Sequence, residues 1–583
     1  MRAKSCTKTP GPTAGMKVLI AFSLLLTCGL ATTSRGGQEC LCTSDQSCWP
    51  NTEEFSQLQT QVSQPLVYPL PTASACYPTS DPSGNCTEVV ENWADGNWRP
   101  SMPGSMEAPN FETFMFKNGT IEACYLNTTI TGTCEQGRVP VIGVDARSVA
   151  DIQAGVNFTV KNNLKLVVKS TGHDYLGRSA ARGSFVVWTH NMKNITFNPT
   201  FVAQGAPANE TYDAVTLGAG VQWDEAYAAV DQNGRMIVGG AISSIGAAGG
   251  WLAGGGHSAL SPTYGLGVDN AIEISVVLST GEYLTVNNYQ NPDLFWALRG
   301  GGGGTYGIVT SVTYRTYPSV PAQLYLFEAN STNSSAMQEL VGELLQSQTQ
   351  FTDDGWGGYG GMNNQTLSFF YMAPNMTNET ATATTQAWTN YALSLEPWGV
   401  TSATTMYSIP SWYEFFVTVS STSVMNGANI MITSRLLSRD TVATKYKEVA
   451  QVLLGCSAYF NMVAGGKVNQ IDPDSAGVNP AWRNAVVETV CAINWQGGAS
   501  SSEIEGMIDQ LKGWIKAMYD LTPDDGAYFN EASLFEINWQ ETFFGSHYST
   551  LKSIKNKYDP YKLFVVAEGV GSDDWNKGLT CRF

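Results

Sequence analysis

Charge is scarce in this chain. Of its 583 residues only 14% are Asp, Glu, Lys or Arg, against about 25% in an ordinary soluble domain, and 32 basic residues face 50 acidic ones for a net charge of -18. A phosphate backbone is held by clustered cations, so nucleic acid is a poor partner for this surface. Histidine is scarcer still, with four copies at 173, 190, 257 and 547, too few for a multi-copper oxidase that draws its ligands chiefly from imidazole. The stretch GAGVQW (218–223) lacks the third glycine of a dinucleotide fingerprint, and no Gly-x-Gly-x-x-Gly joins a strand to a helix with an acid downstream, which argues against a nicotinamide dehydrogenase. There is also no Walker lysine pattern and no Gly-x-Ser-x-Gly elbow, so nucleotide hydrolysis and serine-esterase chemistry lose their usual support. Beyond residue 31 no stretch is long and apolar enough for a membrane helix.

What is present is globular. The chain is 43% hydrophobic and 11% aromatic, and its length exceeds the roughly 250–300 residues at which single cores stop growing, so at least two domains are expected. Residues 18–31 (VLIAFSLLLTCGLA) form an apolar run after Lys17 with small residues near Ala31, the pattern of a cleaved secretory signal. Met16-Lys17 would itself start a compact signal. Removing 1–31 deletes four basic residues and no acids, taking the charge from -18 to -22. It also leaves ten cysteines, 40, 42, 48, 76, 86, 124, 134, 456, 491 and 581, an even number that suits disulfides better than zinc in an oxidising compartment. The doublets Cys76/Cys86 and Cys124/Cys134 are spaced to close short loops, while the overall pairing stays open. Eleven Asn-x-Ser/Thr sites agree with a secreted glycoprotein.

The texture changes along the chain. Residues 32–135 are rich in Cys, Pro, Thr and Asn with little periodicity and read as a disulfide-stapled extension. From about 136, Ser148 and Asp151 start a short helix with Val149, Ile152 and Val156 at helical spacing, before the strands LKLVVKS (164–170) and FVVWT (185–189). AIEISVVLSTGEYLTV (271–286) reads as a hairpin, and Asn291-Pro292 opens a short helix that Gly300 stops. Beyond Pro318 lie longer amphipathic helices, one through Met337, Leu340, Val341, Leu344 and Leu345 with Ser335 and Gln338 as its expected capping box, and one from Ile504 to Met518 with Ser500 and Glu503 at its start. Segments such as 458–464 and 486–495 are β-rich, giving an α+β second domain.

Glycine is the one clear excess, with 58 copies, about 10% against a usual ~7%. Three clusters stand out: STGHDYLGRS (170–179), GAAGGWLAGGGHS (246–258) and RGGGGGTYG (299–307). Such clusters let backbone approach a phosphate or a flat ring without a Cβ in the way, and single ones are more often plain tight turns. Taken together, VVKSTGHDYLGRS (167–179), GGWLAGGGHSALSPTYGLGVDN (249–270), NPDLFWALRGGGGGTYGIVTSVTYRTYP (291–318) and YDPYKLF (558–564) resemble the FAD-linked oxidoreductases of the vanillyl-alcohol-oxidase / p-cresol-methylhydroxylase family. VNPAWRNAVV (478–487) strengthens a likeness to the secreted fungal berberine-bridge-enzyme-like branch, which includes the isoamyl alcohol oxidases. The resemblance covers about 136–583.

It implies an α+β fold: a two-lobed FAD-binding domain of the p-cresol-methylhydroxylase type (136–319), a substrate domain with an antiparallel sheet and helices (320–525), and a C-terminal segment returning to the flavin (526–583). It also implies FAD joined through its 8α-methyl group to His173, with Ser170, Thr171, Gly172, Asp174, Gly177 and Ser179 around the pyrophosphate. Gly246, Gly249, Gly250, Gly254, Gly255 and Gly256 would run beside the isoalloxazine and ribityl chain. His257 is either a donor to that cradle or a packed histidine, and Asp269 and Ile308 would lie near the adenosine half. Many relatives carry a second tether from a Cys to flavin C6. Ile242 occupies that position, and no Cys falls between 135 and 455, so a single covalent link is expected. Tyr528 and Asn530 match the family's Tyr-x-Asn segment and are the candidate base and positioning donor. A phenol near pKa 10 would need a donor or cation beside it to act as a base. Glu531 stands where relatives commonly have an aromatic residue, and Arg483 reads as structural.

The function implied is hydride transfer from an alcohol or hemiacetal carbon to FAD, with dioxygen as acceptor and hydrogen peroxide as by-product. Tailoring of a fungal secondary metabolite or oxidation of an oligosaccharide would use the same cofactor. A glycoprotein that binds a partner on a degenerate flavin fold is the non-enzymatic alternative, against which intact His173 and glycine motifs speak.

Overall fold

The computed structural model describes residues 40–80, 82–419 and 426–583, and the expected signal segment lies outside them. Cys40–Phe583 forms one compact unit. The Ser148 side chain caps the helix Val149–Lys161 by accepting from the Asp151 N–H at 3.2 Å, as its Ser-x-x-Asp pattern predicts. That helix connects Ile142–Asp145 to Leu166–Lys169, and both strands pair in parallel with Phe185–Trp188 between them. All four residues of Phe185–Trp188 are buried, which is why this strand reads as an unbroken apolar run.

A five-stranded sheet follows in the order Tyr283–Val286, Ala271–Val277, Ile308–Arg315, Tyr212–Gly218 and Ile195–Phe201. Its first two strands are the predicted hairpin, paired antiparallel with Val277 opposite Tyr283. The helix Pro292–Leu298 has proline at its start and ends just before Gly300, as expected.

The third sheet is seven-stranded, in the order Val400–Ile409, Ala322–Ser331, Thr366–Pro374, Gly357–Met362, Tyr459–Met462, Ala485–Trp495 and Asn429–Ser438. Every pairing in it is antiparallel. The two-residue period of its strands gives it two distinct faces. Phe369, Tyr371, Phe460, Met462 and Cys491 join a core with Leu340 and Leu344 of the helix Ser334–Asp353 and Leu453 of the helix Tyr446–Cys456. Their neighbours Phe370, Tyr459, Asn461 and Val490 turn the other way, into a cavity.

One cap differs from expectation. The helix expected to start at Ser335/Gln338 is capped two residues earlier by Asn333, whose side-chain oxygen accepts from Ser335 N at 3.1 Å and Ala336 N at 3.3 Å. The Ser500/Glu503 capping box forms as read.

All ten remaining cysteines pair: Cys40–Cys581, Cys42–Cys48, Cys76–Cys86, Cys124–Cys134 and Cys456–Cys491. The first joins the two ends of the described chain. The Cys-rich extension carries a capped helix, Thr52–Gln59, and reaches the glycine loops through Glu107, whose N–H donates to Gly172 O at 3.2 Å. Among the described residues no helix is long and apolar enough to cross a membrane.

Candidate active site

A cavity of about 510 Å³ lies where the three sheets and the C-terminal segment converge, within the usual range for small-molecule and cofactor sites. All three glycine clusters reach its wall, through 170–179, 246–250 and 302–307, and Leu563 to Val566 close another side. At Gly249 the backbone has φ +109° and an added Cβ would meet nothing within 4 Å, so the main chain itself is the wall there.

His173 stands in the loop that follows the strand Leu166–Lys169. Its Nε2 is 2.8 Å from Ser244 Oγ and 3.9 Å from Glu107 Oε1. Burial pulls its pKa down to about 3, which keeps the ring neutral and one nitrogen lone pair available. Ile242 lines the same wall.

On the opposite side the loop meets the C-terminal return. Asp174 accepts from Leu176 N at 2.8 Å and Arg178 N at 3.0 Å and pairs with the Arg178 guanidinium. Arg178 also donates to Asn530 Oδ1 at 3.0 Å and stacks 4.3 Å from the Phe529 ring centre. The Asn530 amide donates in turn to Gly250 O and to Tyr528 Oη, each at 2.9 Å. Burial, and then the charge of Glu531, push the Tyr528 phenol well above its usual range, against the weaker pull of the Asn530 amide.

Beside Tyr528 sits an acid–imidazole cluster. His257 Nε2 is 2.9 Å from Glu531 Oε1 and 3.8 Å from Glu488 Oε2, and the three residues' donor atoms lie within 4.8 Å of one another. Burial alone would lower the His257 pKa, but the hydrogen bond and charge of Glu531, with the charge of Glu488, outweigh it and raise the imidazole above its ordinary value. Burial and the charge of Glu531 push Glu488 up to about 8. The sheet register explains the assembly: Phe370 pairs with Tyr359, Tyr359 with Asn461, and Asn461 with Glu488. This makes one row of side chains across four strands.

The chain matches the family models "FAD binding domain" over residues 140–287 and "Berberine and berberine like" over 527–571. It is 36% identical to an uncharacterized FAD-linked oxidoreductase of Arthroderma benhamiae, over 94% of this chain and 96% of that protein. The chain belongs to the FAD-linked oxidoreductases of the vanillyl-alcohol-oxidase and berberine-bridge-like family. It is also 29% identical to the VAO-type flavoprotein oxidase VAO615 of Thermothelomyces thermophilus, over 95% of this chain and 96% of that one. The crystal structure of the VAO-type flavoprotein MtVAO615 from Myceliophthora thermophila C1 superposes with a TM-score of 0.85 at 28% identity, covering 94% of this chain and all of that one.

FAD fits the cavity of this flavoenzyme. The glycine walls give backbone contact to a flat ring and a phosphate chain, and two wall residues hold buried polar atoms with no partner among the described residues, Thr305 Oγ1 and one guanidinium nitrogen of Arg178. Such groups await a ligand or water. Of the residues expected to touch the cofactor, Ser170, Thr171, Gly172, His173, Asp174, Ser179, Gly246, Gly249, Gly250, His257 and Ile308 line the cavity, as do Tyr528 and Asn530.

Five expected contacts stand behind the wall instead. Gly177 offers its carbonyl to Arg138 at 2.8 Å. A Cβ on Gly254 would meet Asn530, one on Gly255 Val478, and one on Gly256 Trp251, so these glycines serve close packing. Asp269 forms a two-pronged ion pair with Arg483 at 2.7 and 2.9 Å. Sequence reasoning missed Ser244, Glu107, Arg178, Tyr359 and Glu488. Arg178 was visible inside the first glycine motif. Glu488 had no local signal, because only the strand register brings it to His257.

Proposed function

We propose that this flavoenzyme is a secreted oxidase that takes a hydride from the carbon of an alcohol or hemiacetal, with dioxygen as final acceptor and hydrogen peroxide as by-product. The observation that carries the reading is the Glu531–His257 pair on the same cavity wall as Tyr528 and Asn530. Bound FAD supplies the two-electron acceptor. Loss of hydride from a C–OH carbon requires that the hydroxyl proton be taken, and a positioned carboxylate does this efficiently. Glu531 accepts that proton, and His257, whose basicity the two neighbouring carboxyls raise, fixes its carboxyl group through the 2.9 Å contact. Tyr528, expected to be the base, is better placed as a donor. Its phenol stays protonated, Asn530 fixes its oxygen, and its O–H points a hydrogen bond at the substrate oxygen. Glu488 is buried beside the pair, and burial and the charge of Glu531 raise its pKa to about 8.

His173 tethers the flavin through Nδ1, since Nε2 is engaged with Ser244 Oγ at 2.8 Å. The substrate lies against Tyr359, Phe370, Tyr459 and Ile432 of the seven-stranded sheet, whose apolar and ring surfaces suit a ring-bearing or alkyl alcohol better than an anion beside Glu531. The relative named as an oxidase supports dioxygen as acceptor. Five disulfides and the apolar amino-terminal run support export.

The test is anaerobic mixing of the holoenzyme with a panel of alcohols, sugars and aromatic metabolites. Bleaching of the flavin by an alcohol, followed by one peroxide per flavin on readmitting air, is expected. A flavin that no alcohol or hemiacetal reduces would overturn the assignment, and reoxidation only by an artificial dye would replace dioxygen with another acceptor.

A further inference from the structure

Glu107 is a buried acid with no assigned task. It is 4% exposed, belongs to the Cys-rich extension, and lies outside both family-model matches. Two other segments pin it in place: its N–H donates to Gly172 O at 3.2 Å, and its own carbonyl accepts from Gly427 N at 2.8 Å. The Asn426 amide, oriented to satisfy both its ends, donates to Glu107 Oε2 at 3.2 Å and accepts from Gly96 N at 3.3 Å. Glu107 Oε1 has no hydrogen-bond partner among the described residues and lies 3.9 Å from His173 Nε2. The cations that face it are already engaged. Arg99 binds Glu112 at 2.9 Å, and Lys169 donates to Met102 O at 3.0 Å. An unpaired buried carboxyl is costly to keep unless a charge arises beside it at some stage.

We propose that Glu107 is the positioning residue for covalent attachment of FAD to His173, so that the Cys-rich extension is a working part of the cofactor site. The inference rests on the His173 tether proposed above. The neutral ring donates its Nε2–H toward Ser244 and presents the Nδ1 lone pair to the cavity. In the attachment one C–H bond of the flavin 8α-methyl group breaks and one C–N bond to Nδ1 forms. Two electrons remain on the isoalloxazine, and dioxygen takes them with two protons and leaves as hydrogen peroxide. Nδ1 alkylation turns the ring into a cation, and Glu107, whose Oε1 lies 3.9 Å from Nε2, gives up its proton as that charge forms and stabilises it as a carboxylate; this proton and the one from the broken C–H bond are the two that leave with dioxygen. A group that recognises only a charge developing during the reaction acts on the rate of that step rather than on binding.

The experiment compares the full-length chain with Glu107→Gln, Glu107→Asp, His173→Ala and the double variant. For each, total bound FAD, its acid-stable fraction and the melting temperature are measured. His173→Ala should bind FAD with no acid-stable fraction. Glu107→Gln should keep total FAD while its acid-stable fraction falls by about ten-fold or more, the scale of one lost partner for a buried charge, and Glu107→Asp should restore most of it. In the His173→Ala background, Glu107→Gln should leave bound FAD unchanged. A wild-type acid-stable fraction in Glu107→Gln overturns the proposal, as does an equal loss in Glu107→Asp or a matching drop in total FAD and stability in both backgrounds. Acid-stable flavin in His173→Ala would instead overturn the tether itself.

Discussion

Gly254 and Asn530 are packed so closely that a Cβ on Gly254 would stand 2.3 Å from the Asn530 amide nitrogen. That nitrogen is the donor to both Gly250 O and Tyr528 Oη. The second glycine cluster therefore does two jobs: Gly249 and Gly250 form the cavity wall, while Gly254 leaves room for the side chain that ties the C-terminal return to that wall.

Gly254→Ala is expected to push Asn530 off both acceptors. Overpacking of this kind costs about 1–3 kcal/mol, so melting should fall, and flavin reduction by substrate should slow because Tyr528 loses its fixed orientation. The measurement is thermal unfolding together with the anaerobic reduction rate. A variant that reduces its flavin at the wild-type rate would show that Asn530 does not orient Tyr528.

Much of the fold was legible because local chemistry agrees with the final structure. The Ser148 cap, the hairpin around Ser279-Thr280-Gly281 and the Ser500/Glu503 box are set by neighbours in sequence and form as read. The site was legible where one loop carries it, as in 170–179, and where a distinctive triplet marks it, as at Tyr528 to Asn530. The acid–imidazole cluster was not, because His257, Glu488 and Glu531 come from three distant segments that only the tertiary fold brings together, Glu488 from the seven-stranded sheet and the other two from loops outside it. The glycine runs carried a different ambiguity: a ligand and a neighbouring side chain both demand a missing Cβ, and sequence does not distinguish Gly250 from Gly254.

Asp269→Asn should damage stability rather than cofactor binding. Its partner Arg483 is 4% exposed at the side chain and Asp269 7%, and breaking one side of a buried pair costs about 3–5 kcal/mol. The expected result is a lower melting temperature with FAD content per folded molecule unchanged. Loss of FAD at constant stability would return Asp269 to the adenosine site.

Stability should be greater near pH 5 than near pH 7.5. Burial is the main cause that raises Glu107, Glu488 and Glu568 to about 8 and Glu536 to about 7. An acid whose folded pKa is raised contributes stability that is fully present below its unfolded value and is lost as pH climbs through the folded one. His173 and His190, each lowered to about 3 mainly by burial, work the other way below their unfolded value. Lys165 and Lys169, lowered to about 7 by burial, add stability only as pH rises above that point. The acids outnumber the opposing groups in the window between, so melting temperature should fall from pH 5 to 7.5, with a shallower slope in Glu568→Gln. A melting temperature that rises across this window would show that these carboxyls are ionised in the folded protein without penalty.

The assignment of the proton acceptor separates two variants. Glu531→Gln keeps the hydrogen-bonding shape beside His257 but removes the group that takes the hydroxyl proton, and losing a general base costs about 10²–10⁴ in rate. Tyr528→Phe removes one donor to the substrate oxygen and should cost about ten-fold, the scale of a single hydrogen bond. Both effects should appear in the anaerobic rate of flavin reduction, which isolates the chemical step from reoxidation by dioxygen. The reverse order, with Tyr528→Phe the more damaging and Glu531→Gln nearly silent, would make the phenol the base. It would also mean that bound substrate and flavin reverse the effect of burial and of Glu531 on the Tyr528 hydroxyl.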